Sequence, residues 1–419
     1  MEFVDEPARR TPVLRRTDVL VVGGGSAGVA AAVAAARNGV HTMLVERYGS
    51  LGGLATGGLI VLFLTLDDGE GRQVVRGICE EVTQRLAGRG AAFFPPEQEW
   101  GSPDPVRIEH YRQWGLVWGK GPHRVRYSVA YDPEELRFVL AEMACESGVE
   151  LLLHAWACEL LREGTRVRGA VFQGKSGRFA VLARVVVDAT GDGDLFASAG
   201  VAHEKERVLP WLWFRMGGIE DLETEIARGG WMFRTVNPGQ ALFPWGATES
   251  VAKIDATDPV DLTRAEIECR RKVMEEVARL RRENPRFRRA HLCDIATQLG
   301  ITESRRLVGV HVLRRDEADV LFPDSVAVTG NWTKYGMRYS IPYRCLLPRE
   351  FSNLLVAGRC ISVDHRVHHA TKEIPACMAT GEAAGTAAAL AVRTGVDAAD
   401  LPVPRLQSKL EEQGAIVRW

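Results

Sequence analysis

Residues 19–22, Val-Leu-Val-Val, are apolar without alternation, the pattern of a strand buried on both faces of a parallel sheet. A glycine cluster follows, then an Ala- and Val-rich run that stops at Gly39, where a residue just past a helix end belongs. The apolar run Thr42 to Val45 closes on Glu46, so 18–46 is predicted as strand, tight turn, helix, strand. A second patterned region starts at Asp132-Pro133, read as an N-cap with proline in the first turn and Glu135 at the capping-box position. Leu136, Val139, Leu140 and Met143 recur at helical spacing, and Gly148 ends the helix. A strand is predicted at 149–155, then a hairpin around 167–172 and 179–192. Further along, 210–218 reads as a strand and 263–285 as a charged helix opening on Thr263 and Glu266 as a capping box. The segment 353–359, Asn-Leu-Leu-Val-Ala-Gly-Arg, is a short buried strand ending in glycine. Pro375 opens a helix dominated by Gly and Ala through Ala389.

Strands alternating with helices predict an α/β protein. At 419 residues the chain exceeds the size at which one hydrophobic core usually stops growing, so two units are expected. The first is a Rossmann-like domain assembled from 14–66, 127–200 and 341–419. The second is an inserted α+β cap domain from 67–126 and 201–340.

The glycine cluster carries the first chemistry. Gly23, Gly25 and Gly28 form G-x-G-x-x-G between the strand and the helix. The first permits the tight turn, the second lets backbone approach a pyrophosphate, and the third lets the helix pack on the strand. Glu46 ends the second strand and could accept hydrogen bonds from ribose hydroxyls while repelling a 2′-phosphate. Gly52-Gly53 then opens a small-residue loop, Leu54, Ala55, Thr56 and Gly57, with no helix before it. A third glycine turn ends a buried strand at Asp188-Ala189-Thr190-Gly191-Asp192.

Composition narrows the rest. The formal net charge is −1, which gives no support for nucleic-acid or membrane binding. The eight cysteines include no C-x-x-C and do not form a secreted disulfide pattern. With no signal-peptide pattern, these features predict reduced thiols and a cytoplasmic location. His365, His368 and His369 between Cys360 and Cys377 suggest a metal site at first sight, but no convergent ligand set is specified, and none is expected. Trp211, Trp213, Trp231, Trp245 and Trp332 could line an aromatic pocket, against the alternative of core packing. The partner expected is a small-molecule substrate, with homo-oligomer formation left open.

These motifs together resemble the family of FAD-dependent oxidoreductases, flavoproteins of the glutathione-reductase type. The matching stretches are 303-ESRR-306, 341-IPYRCLLP-348, 358-GRCIS-362, His365, His368 and 377-CMATGEAAGTAAA-389, besides the two glycine turns. Lys372 and His369 depart from the family pattern. The resemblance implies FAD held by Gly23, Gly25, Ser26, Ala27, Gly28, Glu46, Arg47, Gly52, Gly53, Leu54, Ala55, Thr56, Ala157, Thr190, Gly191, Asp192, Gly358, Arg359, Cys377, Met378 and Ala383. It implies hydride exchange between a small molecule and flavin N5. His365, His368 and His369 are the candidate acid–base groups, and Arg305 is the candidate catalytic arginine, with Arg306, Arg338 and Arg344 as further anchors for an anionic substrate. The alternative is an FAD monooxygenase using NAD(P)H, whose pattern has Asp where this chain has Arg359.

Overall fold

A computed structural model describes residues 4, 8–229, 232–244 and 251–419. Its central sheet contains β1 (Val13–Val22), β2 (Thr42–Val45), β3 (Glu150–Leu152), β4 (Trp156–Glu163), β5 (Arg166–Gly174), β6 (Gly177–Asp188) and β7 (Leu354–Val356). The order is β3-β2-β1-β6-β5-β4, with β7 also paired to β6. Strands β3, β2, β1, β6 and β7 are parallel neighbours, and β4, β5 and the first half of β6 form an antiparallel meander. The unbroken apolar run 19–22 is fully covered on both faces, as its lack of alternation requires.

The helices include α1 (Ser26–Arg37), α2 (Ile78–Gly88), α3 (Pro133–Glu146), α4 (Pro259–Glu283), α5 (His365–Thr371), α6 (Ile374–Thr394) and α7 (Val403–Glu412). Helices α1 and α6 lie against each other through small residues. A Cβ added at Gly381 would fall 2.1 Å from the Ala27 carbonyl oxygen, and one at Gly385 would fall 2.0 Å from that of Ala31. The Gly/Ala composition of 377–389 is therefore a helix-packing device, since no larger side chain fits at those two positions.

A second sheet, antiparallel, runs Phe233–Arg234, Gln240–Phe243, Phe214–Gly217, His291–Ile295. The buried stripe of α4 is Ala265, Cys269, Val273 and Val277, spaced four residues apart, with charged residues outward. Arg215 joins this sheet to the N-cap of α3, donating to Asp294 on the neighbouring strand at 2.5 Å and reaching Asp132 at 3.5 Å.

Some sequence expectations need correction. Helix α4 begins four residues before Thr263. Asp258 is its cap, accepting from the Val260 amide at 2.8 Å, and Thr263 instead donates to the Pro259 carbonyl within the helix. The same Asp-Pro signal was read correctly at Asp132, which accepts from the Glu134 and Glu135 amides. Glu135 itself turns away to Arg89 at 2.5 Å rather than completing a capping box. Trp211 and Trp213 are buried core residues, as the core-packing alternative has it. Trp231 and Trp245 lie outside the described residues. The region between Thr394 and the chain end adds α7, and α5 is a separate short helix ahead of α6.

Candidate active site

Strand register brings the glycine motifs together. Val22 pairs with Val45 on one side and Asp188 on the other, and Asp188 also pairs with Val356. Four strands thus end side by side, and the segments leaving them (Gly23 onward, Glu46 onward, Ala189 onward, Ala357 onward) emerge at one edge. In open α/β sheets ligands bind outside the carboxyl ends of the strands.

Each segment then packs on the next. Gly23 has φ +100, and a Cβ there would sit 2.4 Å from the Ala189 carbonyl oxygen, so this turn admits only glycine. A Cβ on Gly28 would lie 1.7 Å from the Gly23 oxygen, which keeps α1 pressed on the turn. Gly25 is different: an added Cβ would meet nothing within 4 Å. Gly25 is also the N-cap of α1, and no side chain caps it. The opening turn of an uncapped helix, facing free space, is suited to an anion such as a pyrophosphate. Gly53 closes the other side, its Cβ position 3.1 Å from the Gly25 α-carbon, and the Gly52 amide donates to the Gly24 carbonyl at 2.8 Å. Leu54, Ala55 and Thr56 follow in a short helical turn held by the Thr56 hydroxyl, which donates to the Leu51 carbonyl at 2.8 Å.

Glu46 is buried, and its carboxylate accepts from the Gly24 amide at 2.5 Å and the Tyr48 amide at 2.8 Å. It therefore organises the glycine turn. Arg47 lies over the rings of Tyr48 and Trp156, where Trp156 and Ala157 open β4.

The turn after β6 is an ordered charge network. Buried Asp188 accepts from the Thr190 amide and hydroxyl and from the Phe196 amide. Asp192 accepts from Ser304 at 2.5 Å and from Arg359 at 2.7 Å. Burial alone would raise the Asp192 carboxyl, but Arg359, Ser304 and Arg47 overcome it and hold it below its ordinary range. Burial and the charges of Asp192 and Asp188 push Asp194 up to about 6. Gly358 packs on α1, with its Cβ position 2.7 Å from the Ala27 methyl and 3.9 Å from Cys377. Cys377 hydrogen-bonds to the Lys372 carbonyl at 3.2 Å, and burial pushes its thiol up to about 12, so it is no nucleophile. Met378 and Ala383 are buried in α6.

The three histidines on α5 have different surroundings. His365 is mostly exposed and its Nδ1 is 2.8 Å from Glu303. His368 is buried, and its Nε2 donates to the Arg359 carbonyl at 3.0 Å. Burial, with Lys372, Arg359 and Arg306 nearby, holds it well below the usual histidine range. His368 is thus a neutral tie between α5 and the Gly358-Arg359 turn. His369 keeps part of its ring in solvent, but its packed face and Lys372 pull it down to about 4. It lies against Trp332, 4.8 Å between ring centres, and the Trp332 indole donates to the His369 carbonyl at 2.9 Å.

The arginines expected to anchor substrate are already paired. Arg305 donates to Asp194 at 3.1 Å and to the Asp192 carbonyl at 3.0 Å. Buried Arg306 donates to Glu303 at 2.5 Å and pairs with Glu204 at 3.0 Å. Arg344 binds Asp324, and Arg338 lies over Trp419 near Asp319. Glu303 is the residue that sequence reasoning left without a role: it couples His365 to Arg306, and only its place in the ESRR stretch signalled it. Glu206, Glu303 and His365 bring ligand atoms within 4.8 Å of one another, but the Arg306 guanidinium already balances the carboxylates there.

The fold and this arrangement define a dinucleotide-binding α/β enzyme. The chain belongs to the FAD dependent oxidoreductase family, whose model matches residues 18–245 and 213–410. FAD is accordingly its cofactor, and the uncapped, open cradle at Gly25 fits it. Among solved structures, the chain is similar to p-nitrophenol 4-monooxygenase PnpA from Pseudomonas putida DLL-E4, with TM-score 0.52, 12% identity, and coverage of 96% of this chain and 84% of that one. It is also similar to BexE, described in connection with oxidation during BE-7585A biosynthesis, with TM-score 0.51, 15% identity, and coverage of 95% and 69%. At these identities the likeness is one of fold. No curated protein matches the chain. Among the described residues, no helix is long and apolar enough to cross a membrane.

Proposed function

We propose that this enzyme exchanges a hydride between a small organic substrate and FAD held across the ends of β1, β2, β6 and β7. The observation that carries this reading is the open, uncapped start of α1 at Gly25, ringed by the three other glycine segments. Bound there, FAD would supply the hydride acceptor or donor, and the protein supplies position and proton handling.

Ser26, Ala27 and the Gly25 backbone would hold the pyrophosphate, and Glu46 a ribose. Gly52 to Thr56 would run along the cofactor, with Arg47 and Ala157 toward its adenosine end and Thr190, Gly191 and Asp192 beside it. The Gly358-Arg359 turn and the start of α6, Cys377 and Met378, would meet the flavin end. Helix α6 opens toward that turn, and its positive end would favour negative charge nearby. His369 is the preferred candidate for proton handling because it reaches solvent and rests on Trp332, acting as a weak base with its value pulled down to about 4. His368 serves as a positioning residue. The segments 67–126 and 201–340 form the substrate side, and free thiols at all eight cysteines support a reducing, cytoplasmic setting.

The NAD(P)H-dependent monooxygenase reading ranks second, because the residue after Gly358 is an arginine whose head group is committed to Asp192 and the Ile301 carbonyl. The test is anaerobic mixing of the FAD-loaded enzyme with alcohols, amines and acids, and separately with NADPH. Bleaching of the flavin bands by an organic substrate alone supports hydride exchange. Bleaching by NADPH alone favours the monooxygenase.

A further inference from the structure

Arg126 is 1% exposed, and none of its three guanidinium nitrogens has a hydrogen-bond partner. A buried guanidinium is costly unless its charge and donors are met, and native interiors rarely leave one so. The unmet groups cluster. The Ser128 hydroxyl, two residues on, is buried without a partner, as is Oδ2 of Asp67, on the strand segment whose Leu66 amide donates to the Tyr127 carbonyl. Asp67 acts on Arg126 only through space, with no ion pair within reach, and its other oxygen accepts from Thr65 at 2.6 Å.

The guanidinium is held flat. The Tyr335 ring covers one face, with the guanidinium carbon 3.8 Å from its centre. Gly69 approaches the plane as well: a Cβ there would be 2.9, 3.0 and 3.0 Å from Cζ and the two terminal nitrogens, a nearly equal set that places it above the plane. With its faces taken, the guanidinium can offer donors only at its edge, where a planar carboxylate binds through two parallel hydrogen bonds. A tetrahedral phosphate matches that planar edge less well.

A chain of contacts runs from this place to the proposed reaction centre. The half-buried Tyr335 donates through its hydroxyl to the Trp118 carbonyl at 3.2 Å, Trp118 meets Trp332 at 5.7 Å, and Trp332 rests on His369. Segment 62–69 leads directly from the Gly52 to Thr56 loop.

We propose that Arg126, assisted by Ser128, binds the carboxylate of an organic-acid substrate at its guanidinium edge, with Tyr335 stacked on one face. This deepens the hydride-exchange reading and rests on it for the identity of the ligand as substrate. The arginine is a specificity residue that no motif marks, and it replaces Arg305, Arg306, Arg338 and Arg344 in that role.

The experiment uses the FAD-loaded protein and its Arg126→Met and Arg126→Lys variants, titrated calorimetrically with benzoate, benzamide and inorganic phosphate. Flavin content is read from the visible spectrum of each sample. Expected are benzoate binding to the unaltered protein, at least tenfold weaker binding by Arg126→Met, partial retention by Arg126→Lys, and no preference for benzamide. Flavin content should be equal in all three. Without ligand, Arg126→Met should melt close to the unaltered protein, because its lost guanidinium donors are unpaired and Asp67 acts on it only through space. Equal benzoate binding in all three, no benzoate binding to the unaltered protein, or phosphate binding in its place would overturn the proposal. So would a marked loss of melting temperature in Arg126→Met, which would make Arg126 a structural partner of Asp67. Absence of flavin from every sample would instead sink the cofactor reading, and the benzoate titration would still be readable.

Discussion

Gly25 and Gly28 stand three residues apart and answer to opposite constraints. Gly28 has no room for a methyl group because of the Gly23 carbonyl, whereas Gly25 faces open space. Gly25→Ala should leave the melting temperature of the FAD-free protein within a degree or two, while FAD affinity falls at least tenfold. Gly28→Ala should destabilise the fold itself, by about 1–3 kcal/mol or more from overpacking. Thermal melting and FAD titration of the two variants separate these effects. Glu382 makes a second residue-scale prediction. It is buried in α6, accepts from the Ile78 amide at 2.9 Å at the start of α2, and burial pushes it up to about 7. Its folded value lies above its unfolded one, so the stability it contributes is fully present below about pH 4.5 and is lost as pH rises through about 7. Replacing it by Gln keeps a hydrogen-bond acceptor and removes the titration. The Glu382→Gln variant should therefore gain on the unaltered protein by as much as roughly 3 kcal/mol between pH 5 and pH 8. Urea unfolding across that range measures it, and parallel curves for the two proteins would refute the assignment.

At the scale of elements, the Gly381 and Gly385 contacts fix how close α6 comes to α1, and hence where the Gly358-Arg359 turn sits relative to Gly25. Gly381→Ala should cost about 1–3 kcal/mol and loosen FAD binding together with stability, as paired denaturation and flavin-release measurements would reveal. Helix α4 tests a different point. Asp258→Ala should cost about 1 kcal/mol as a lost N-cap, and Thr263→Ala should change little. Equal losses would restore the later start read from the sequence. Elements were legible wherever periodicity and a local signal agreed: the run at 19–22, the cap at Asp132, the glycine after Arg37. The Thr263 reading failed because a good capping pattern recurred inside a helix that an earlier Asp-Pro had already opened. The tryptophans stayed open because size and apolarity suit a core as well as a pocket, and Trp211 and Trp213 took the core alternative.

Over the whole molecule, the meeting of the glycine segments at one edge was readable from sequence because parallel pairing forces strand ends into register. Once Val22, Val45, Asp188 and Val356 align, the four motifs must meet. The substrate side was not readable, because it depends on which arginines find acids in space. Arg305 and Arg306 stood in a motif and proved to be paired, while Arg126 stood in none and is the buried arginine left unmet. The central claim is that the edge holds FAD. Protein purified from expressing cells, desalted, then denatured by heat, should release FAD, identified by chromatography of the supernatant, in a molar ratio approaching one per chain. Release of NAD instead, or failure of the flavin-free protein to take up added FAD, would contradict the account.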